Sequence, residues 1–167
     1  MALASRHEII LDAVAATLNR DADLASRDFR VRKKAYNRGN TWLPGAWVTP
    51  EDVSSPGFDN ATDEGVFGVW ITVVDPTDAD LTDGLAEHLA AIERVEDIFR
   101  SKSSGHMPLA FQSAITNSTA GTAMTALSVD VVPGKRFVTQ AFEVGFDASS
   151  CVLKVRVRVP RRDVRSL

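Results

Sequence analysis

Val66-Phe67-Gly68-Val69-Trp70-Ile71-Thr72-Val73-Val74 is the stretch whose reading decides the fold. It is rich in β-branched and aromatic residues, which suit a pleated strand buried on at least one face. Asp75-Pro76 ends it, because proline brings no N–H to a ladder and turns the preceding residue away from helix. Leu81, Leu85, Leu89, Ile92, Val95 and Phe99 then recur at steps of three and four, which predicts an amphipathic helix from about Asp80 to Arg100. On that reading Asp83, Glu87, Glu93, Glu96, Asp97 and Arg100 fall on the opposite side, and His88 on the flank is a surface residue. Asp78 and Asp80 stand where a carboxylate caps the first N–H groups and meets the positive end of the helix dipole. Strand and helix each have one apolar face, and the two are expected to bury those faces together.

Outward from this unit, Ser5-x-x-Glu8 is a capping box ahead of Ile9, Ile10, Leu11, Val14 and Leu18, so a first helix is predicted from about Arg6 to Asn19. Asn19 to Ala25 is polar and reads as a connection. Phe29, Val31 and Lys33 alternate with Arg30, Arg32 and Lys34, the period of two of a strand with a cationic wet face. Asn37-Arg38-Gly39-Asn40 is turn chemistry, and a short strand follows at about Ala46 to Thr49. Glu51 to Gly65 is an acidic loop without periodicity, of a length that is usually functional or disordered.

Beyond the central helix, Phe111 to Ile115 fits a strand or a short helix equally, and Phe137 to Phe146 is ambiguous. Met124 to Val132 reads as a strand closed by the turn Val132-Pro133-Gly134-Lys135. Cys151, Leu153, Val155, Val157 and Val159 alternate with Val152, Lys154, Arg156 and Arg158 in the clearest half-buried strand of the chain. Arg161 to Leu167 is a charged tail. Hairpin-length links between mixed elements predict a single α+β domain over residues 1–167, a mostly antiparallel sheet with two helices packed on one face.

At 167 residues, with 44% hydrophobic and 25% charged residues, the chain can fill a core. A net charge of -3 gives no general attraction to nucleic acid or anionic membrane. The single cysteine, Cys151, allows no intrachain disulfide and suits a small buried residue; a reducing compartment is expected. Charges near the start precede any apolar run long enough for a signal peptide, and no run approaches a membrane span, so a soluble, unexported chain is expected.

Catalytic and metal signatures are weak. His7, His88 and His106 lie far apart and form no ligand spacing. Asp75, Asp78, Asp80 and Asp83 lack the ligand order and glycine of a calcium loop, and helix capping explains them. Gly134-Lys135-Arg136 lacks the rest of a phosphate loop, and no serine stands in a nucleophile elbow. No enzyme, cofactor or metal site is therefore expected.

The basic run Arg27, Arg30, Arg32, Lys33, Lys34 and Arg38 stands out, without an RNA-binding or other recognition motif. It reads as a solvated strand face or a salt-bridging subunit interface. Its candidate mates on a neighbouring copy are Glu51, Asp52, Asp59, Asp63 and Glu64 of the acidic loop.

In element order the chain resembles the small tail terminator and tail-completion proteins of long-tailed bacteriophages, with related head-tail joining proteins. The resemblance rests on the opening helix Ser5 to Leu18, the segment Leu43-Pro44-Gly45-Ala46-Trp47-Val48-Thr49-Pro50, and the acidic loop before Val66 to Val74. It continues in the strand-aspartate-helix unit Asp75 to Phe99 and the arginine-bearing strand Leu153 to Pro160. The resemblance implies a fold like that of tail tube proteins and a ring, usually hexameric, in the tail or neck of a virion assembled in the host cytoplasm. Such a ring caps the tail tube and joins it to the head. Its partners would be further copies of itself, the tail tube protein and a head-completion protein, with DNA only passing through the channel and no membrane, cofactor or catalysis. Mild acidity agrees with a lumen through which phosphates slide, whereas the cluster from Arg27 to Arg38 departs from that picture unless it faces a neighbour. Another neck or connector protein, a small nucleic-acid-binding module, or an enzyme with a site that the sequence does not display are the other classes kept open.

Overall fold

A computed structural model describes residues 6–27, 29–33, 45–51, 58–59, 64–76, 83–100, 108–116, 124–136 and 146–158. Among these, the elements in order are α1 (Arg6–Asn19), α2 (Ala22–Ala25), β1 (Arg30–Arg32), β2 (Gly45–Pro50), β3 (Phe58–Asp59) and β4 (Glu64–Pro76). They continue with α3 (Asp83–Phe99), α4 (Leu109–Thr116), β5 (Thr125–Pro133) and β6 (Phe146–Arg158). The fold is α+β, and the sheet runs β1-β2-β4-β6-β5, with β3 pairing β4 as a short extra strand. Only β1 against β2 is parallel among these pairs; every other pair is antiparallel.

β4 and β6 pair along their whole lengths, from Glu64↔Arg158 to Pro76↔Phe146, which makes them the spine of the sheet. Because successive side chains leave a strand on opposite sides, one face carries Phe67, Val69, Ile71 and Val73 of β4 beside Cys151, Leu153, Val155 and Val157 of β6. All of these are buried, and with Ala46 and Val48 of β2 they form the floor of one core cluster. Its roof is the helices: Ile10, Val14 and Leu18 of α1, Ile92, Val95 and Phe99 of α3, and Phe111 and Ile115 of α4. The rings of Phe99 and Phe111 meet edge to face with centroids 5.6 Å apart, in the arrangement the ring quadrupoles favour.

The central strand and the first helix lie where the sequence places them, and residues Phe111 to Ile115 resolve as helix. The connection after Asn19 holds a helical turn, α2. Asp21 caps it by accepting from the N–H groups of Asp23 and Leu24, both at 3.1 Å, while Leu24 is buried. Asn19 serves β1: its amide donates to the Val31 carbonyl at 3.3 Å and accepts from the Val31 N–H at 3.2 Å. Part of the acidic loop is sheet rather than loop: Phe58 and Asp59, near its middle, pair Gly65 and Glu64 at its end. Residues 137–145, part of the ambiguous segment, lie outside the described residues.

The stripe of α3 is rotated from its predicted setting. Leu85 is 39% exposed and Leu89 half-buried, whereas His88, at 2%, and Glu96, at 3%, turn inward beside Ile92 and Val95. His88 is thus a buried residue and not a surface one, and Glu96 does not belong to the polar side. Polar partners below α3 explain both corrections.

Candidate functional site

Side chains of even number in β4 and β6 leave the sheet on the face away from the helices. Thr49, Trp70, Val152 and Val132 form one row across β2, β4, β6 and β5. Trp70 is 40% exposed, Val132 45% and Val66 41%. Such large apolar side chains grouped on a sheet face mark an interaction surface more often than scattered ones do. Toward one end of this open face the chain buries Trp47 and Val74, which pair with Thr72 and Gly45 respectively. Toward the other end it carries Lys154, Arg156 and Arg158, every second residue of β6.

Charges on this face are partly paired within the chain. Lys154 meets the Glu51 carboxylate. Arg158 donates to Glu64 at 2.8 Å, across the register pair that joins their strands. Arg156 is exposed between Val66 on β4 and Ser128 on β5. Gly68 makes the Glu51 contact possible. A Cβ on Gly68 would lie 1.9 Å from Glu51 Oε2 and 2.7 Å from its Cβ, so the glycine is where the Glu51 side chain crosses the sheet. The Gly68 carbonyl accepts from the Glu51 N–H at 3.0 Å and from His7 Nε2 at 2.9 Å, tying the end of β2 and the start of α1 to the spine.

The sequence-predicted cationic residues divide. Arg30 and Arg32 are exposed and share one face of β1, as alternation requires, and their register with Gly45 and Trp47 places them on the open face. Lys33, just beyond the strand, leaves that set: it contacts Asp12 and lies 3.7 Å from Glu8, both on α1. The Asp12 hydrogen bond holds its ammonium above the ordinary lysine range. Arg27 donates to the Glu87 carbonyl of α3 at 3.0 Å. Among the acidic residues, Glu51 and Glu64 meet β6 and not the basic run. Asp59 contributes its backbone to the β3–β4 pairing. Lys34, Arg38, Asp52 and Asp63 lie outside the described residues.

A second constellation was not legible in the sequence. Beneath α3, His88 Nδ1 lies 2.5 Å from Asp75 Oδ2 and His88 Nε2 lies 2.8 Å from Ser149 Oγ. An ionised carboxylate only accepts, so Nδ1 carries a proton and donates it to Asp75. The order Asp–His–Ser is that of a hydrolytic relay. Its serine, however, is 1% exposed, on the helix-covered side of the sheet, and a substrate carbonyl has no approach to a hydroxyl sealed in this way. The physical role of the chain of contacts is to fasten α3 to β4 and β6 at once. Asp147, 3% exposed, stands across from Asp75 in the same buried layer.

About two helical turns along α3, Arg100 and Arg136 both contact the buried carboxylate of Glu96. Burial pushes the Cys151 thiol up to about 12, and the nearby Glu96 charge adds to the effect. A thiol so far from ionisation is inert at neutral pH, as expected from the sequence. Among the described residues no group of histidine, cysteine, aspartate and glutamate has metal-holding geometry, and no helix is long and apolar enough to cross a membrane.

No protein-family model matches the chain, and no curated protein matches it. Among solved structures, the chain is similar to one from the virion of a native gene transfer agent particle. Identity is 23% and the TM-score 0.46, over 89% of this chain and 92% of that one.

Proposed function

We propose that this chain is a structural component of a phage-type particle, a tail terminator that assembles as a ring, caps the tail tube and joins the tail to the head. The observation that carries the reading is the division of the sheet into a helix-covered face and an open face with Trp70, Val66 and Val132 at its surface. An isolated domain has no use for a tryptophan held on the exposed face of its central strand, whereas an assembling one buries it on contact. The element order supports the same class, from the opening helix to the arginine-bearing last strand. The distant likeness among solved structures does not bear the weight of the reading. The chain acts in this role without catalysis or cofactor, through surfaces presented to further copies of itself, to the tube and to a head-completion protein, with DNA only passing through. Arg30 and Arg32 belong to the contact surface.

Sedimentation across a concentration series, with electron microscopy of the same samples, tests the reading. The wild-type chain is expected to form closed rings at high concentration. Trp70→Ser should leave the circular dichroism and melting of the monomer near wild type while shifting assembly to higher concentration. Arg30→Glu with Arg32→Glu should act in the same direction and become milder in salt. Salt-sensitive binding of the monomer to duplex DNA, lost in the double arginine variant, would favour the nucleic-acid reading instead.

A further inference from the structure

We infer that the outer edge of β5 pairs with the β5 strand of a second copy, so that two sheets join across a two-fold axis at Val131. The inference goes beyond the role proposed above and uses a different surface from the open face. The sheet ends in β1 on one side and β5 on the other, and the two edges are finished differently. At β1 the outward backbone groups are those of Val31, and the Asn19 amide takes both, donating to the carbonyl at 3.3 Å and accepting from the N–H at 3.2 Å. The side chain does there what a neighbouring strand would do, and β1 is only three residues long, so this edge is closed. β5 runs for nine residues, and among the described residues nothing pairs with its outer side.

The direction of the β5 backbone groups follows from Ser150. Its carbonyl accepts from the Gly134 N–H at 2.9 Å and its N–H donates to the Lys135 carbonyl at 2.8 Å, so both groups face the β5 side of β6. Alternation turns Val152, Lys154 and Arg156 the same way, and their register partners Val132, Asp130 and Ser128 point back at them. Val129, Val131 and Pro133 therefore turn their backbone groups outward. Proline fits that position, where a missing N–H removes no bond to β6. The side chains of Val129 and Val131 lie on the helix side, half-buried at the margin of the core. A strand added here extends the hydrogen-bond ladder and covers that margin at once.

The occupant and its register are selected by the same residues. With β1 closed by Asn19, the edge that a second copy can offer to β5 is its own β5, which makes the pairing antiparallel and symmetric. The bulge between Ala126 and Ser128 disrupts a register centred on Val129. A register centred on Asp130 sets the two Asp130 carboxylates directly opposite each other, where like charges repel. Centred on Val131, the pairing sets Val131 against Val131, Val129 against Pro133 of the second copy, which contributes its carbonyl, and Asp130 against Val132. Outward groups meet outward groups and no charge faces its like. Such a contact closes at two copies, so a ring needs other surfaces, and the two readings stand or fall separately.

Amide exchange of the wild-type chain across a concentration series, with sedimentation of the same samples, tests this. In dilute solution the N–H groups of Val129 and Val131 should exchange freely, while those of Ser128, Asp130 and Val132 are protected by β6. Where most chains are associated, Val129 and Val131 should slow by about tenfold, and the same protection should appear in Trp70→Ser, which lacks the open-face contact. Val131→Pro deletes an outward N–H and no bond to β6; it should keep the circular dichroism of the monomer and weaken the pairing by about tenfold or more. Association that leaves exchange at Val129 and Val131 unchanged would overturn the edge contact, as would protection of both already in the dilute monomer. Protection without rings would sink the ring reading and leave this one standing. A wild-type chain that stays monomeric up to near-millimolar concentration would overturn both.

Discussion

The two faces of β4 are made by the same thirteen residues and meet opposite fates. Phe67, Val69, Ile71 and Val73 lie under three helices with almost no exposed surface, whereas Val66 and Trp70, one residue out of phase, keep about two fifths of theirs. Hydrophobicity alone does not distinguish the sets, since valine and aromatic residues occur in both. The covered face is closed by elements of this chain, and its contacts decide stability. At Val66 and Trp70 the open face keeps apolar surface available for association, while its other end, at Trp47 and Val74, is buried by the chain itself.

The largest expected effect belongs to the covered face. Ile92→Asp places an unpaired charge in the core against β4 and β6. It should cost on the order of 5 kcal/mol, comparable with the whole stability of a small domain. Leu89→Asp, at a half-buried position, should cost far less. Urea unfolding of the pair measures how far α3 is rotated, and equal losses would contradict the burial difference between Ile92 and Leu89.

Next comes the polar tie beneath α3. His88→Ala leaves both Asp75 and Ser149 short of a buried partner and removes ring volume, for an expected loss of about 2 to 4 kcal/mol. Ser149→Ala removes one end only and should cost about 1 kcal/mol. Thermal melts that rank the two variants in reverse would show that the histidine is not the centre of the tie.

On the open face, Gly68→Ala should cost about 1 to 3 kcal/mol, because the new methyl group displaces Glu51 from its path to Lys154 and the end of β2 must shift. Gly68→Ala combined with Glu51→Ala should recover part of that loss. Recovery would separate a side-chain collision from a requirement of the glycine backbone.

The smallest effect lies in acid where α2 meets α3. Burial works to raise the Asp21 carboxyl, but the Arg94 hydrogen bonds, the capped N–H groups and the Arg94 charge together hold it below its ordinary value of 3.8. A carboxyl lowered by folding stabilises the folded state above its unfolded value, and that contribution is lost as pH falls through the lower folded value. The attachment of α2 should therefore be constant through neutral pH and weaken only below about pH 4. Amide exchange at residues 22–25 reads this directly, and Asp21→Asn should remove the acid dependence.

Periodicity made the main elements legible. The alternation in Cys151 to Val157 and the three-four spacing of α1 and α3 are local patterns, and a local pattern survives without knowledge of the partner strand. The register of β4 on β6 was not legible, and with it went the first part of β6. Phe146-Asp147-Ala148-Ser149-Ser150 shows no apolar alternation because its inward residues meet polar groups, Ser149 reaching His88 and Asp147 facing Asp75. A histidine beside glutamate and leucine on a helix flank has no local mark of burial, so spacing alone places His88 at the surface. Only the pairing that brings residues 75 and 149 to the same end of the sheet supplies its two partners.

The same division holds for the candidate site. The common face of Arg30 and Arg32 follows from the period of two, which any strand obeys. That Lys33 turns to α1, and that Glu51 and Glu64 find β6, depends on distances of 21 to 103 residues along the chain that no local spacing encodes. By itself the sequence determined the α+β class, the central strand, the amphipathic helices and the inert cysteine, because each is set by backbone geometry and the segregation of apolar side chains over a few residues. The tertiary structure alone decided which side of the sheet the helices cover. That choice leaves Trp70 outside and seals His88 inside, and it comes from long-range pairing, where contacts distant in sequence settle a balance that local propensity leaves even.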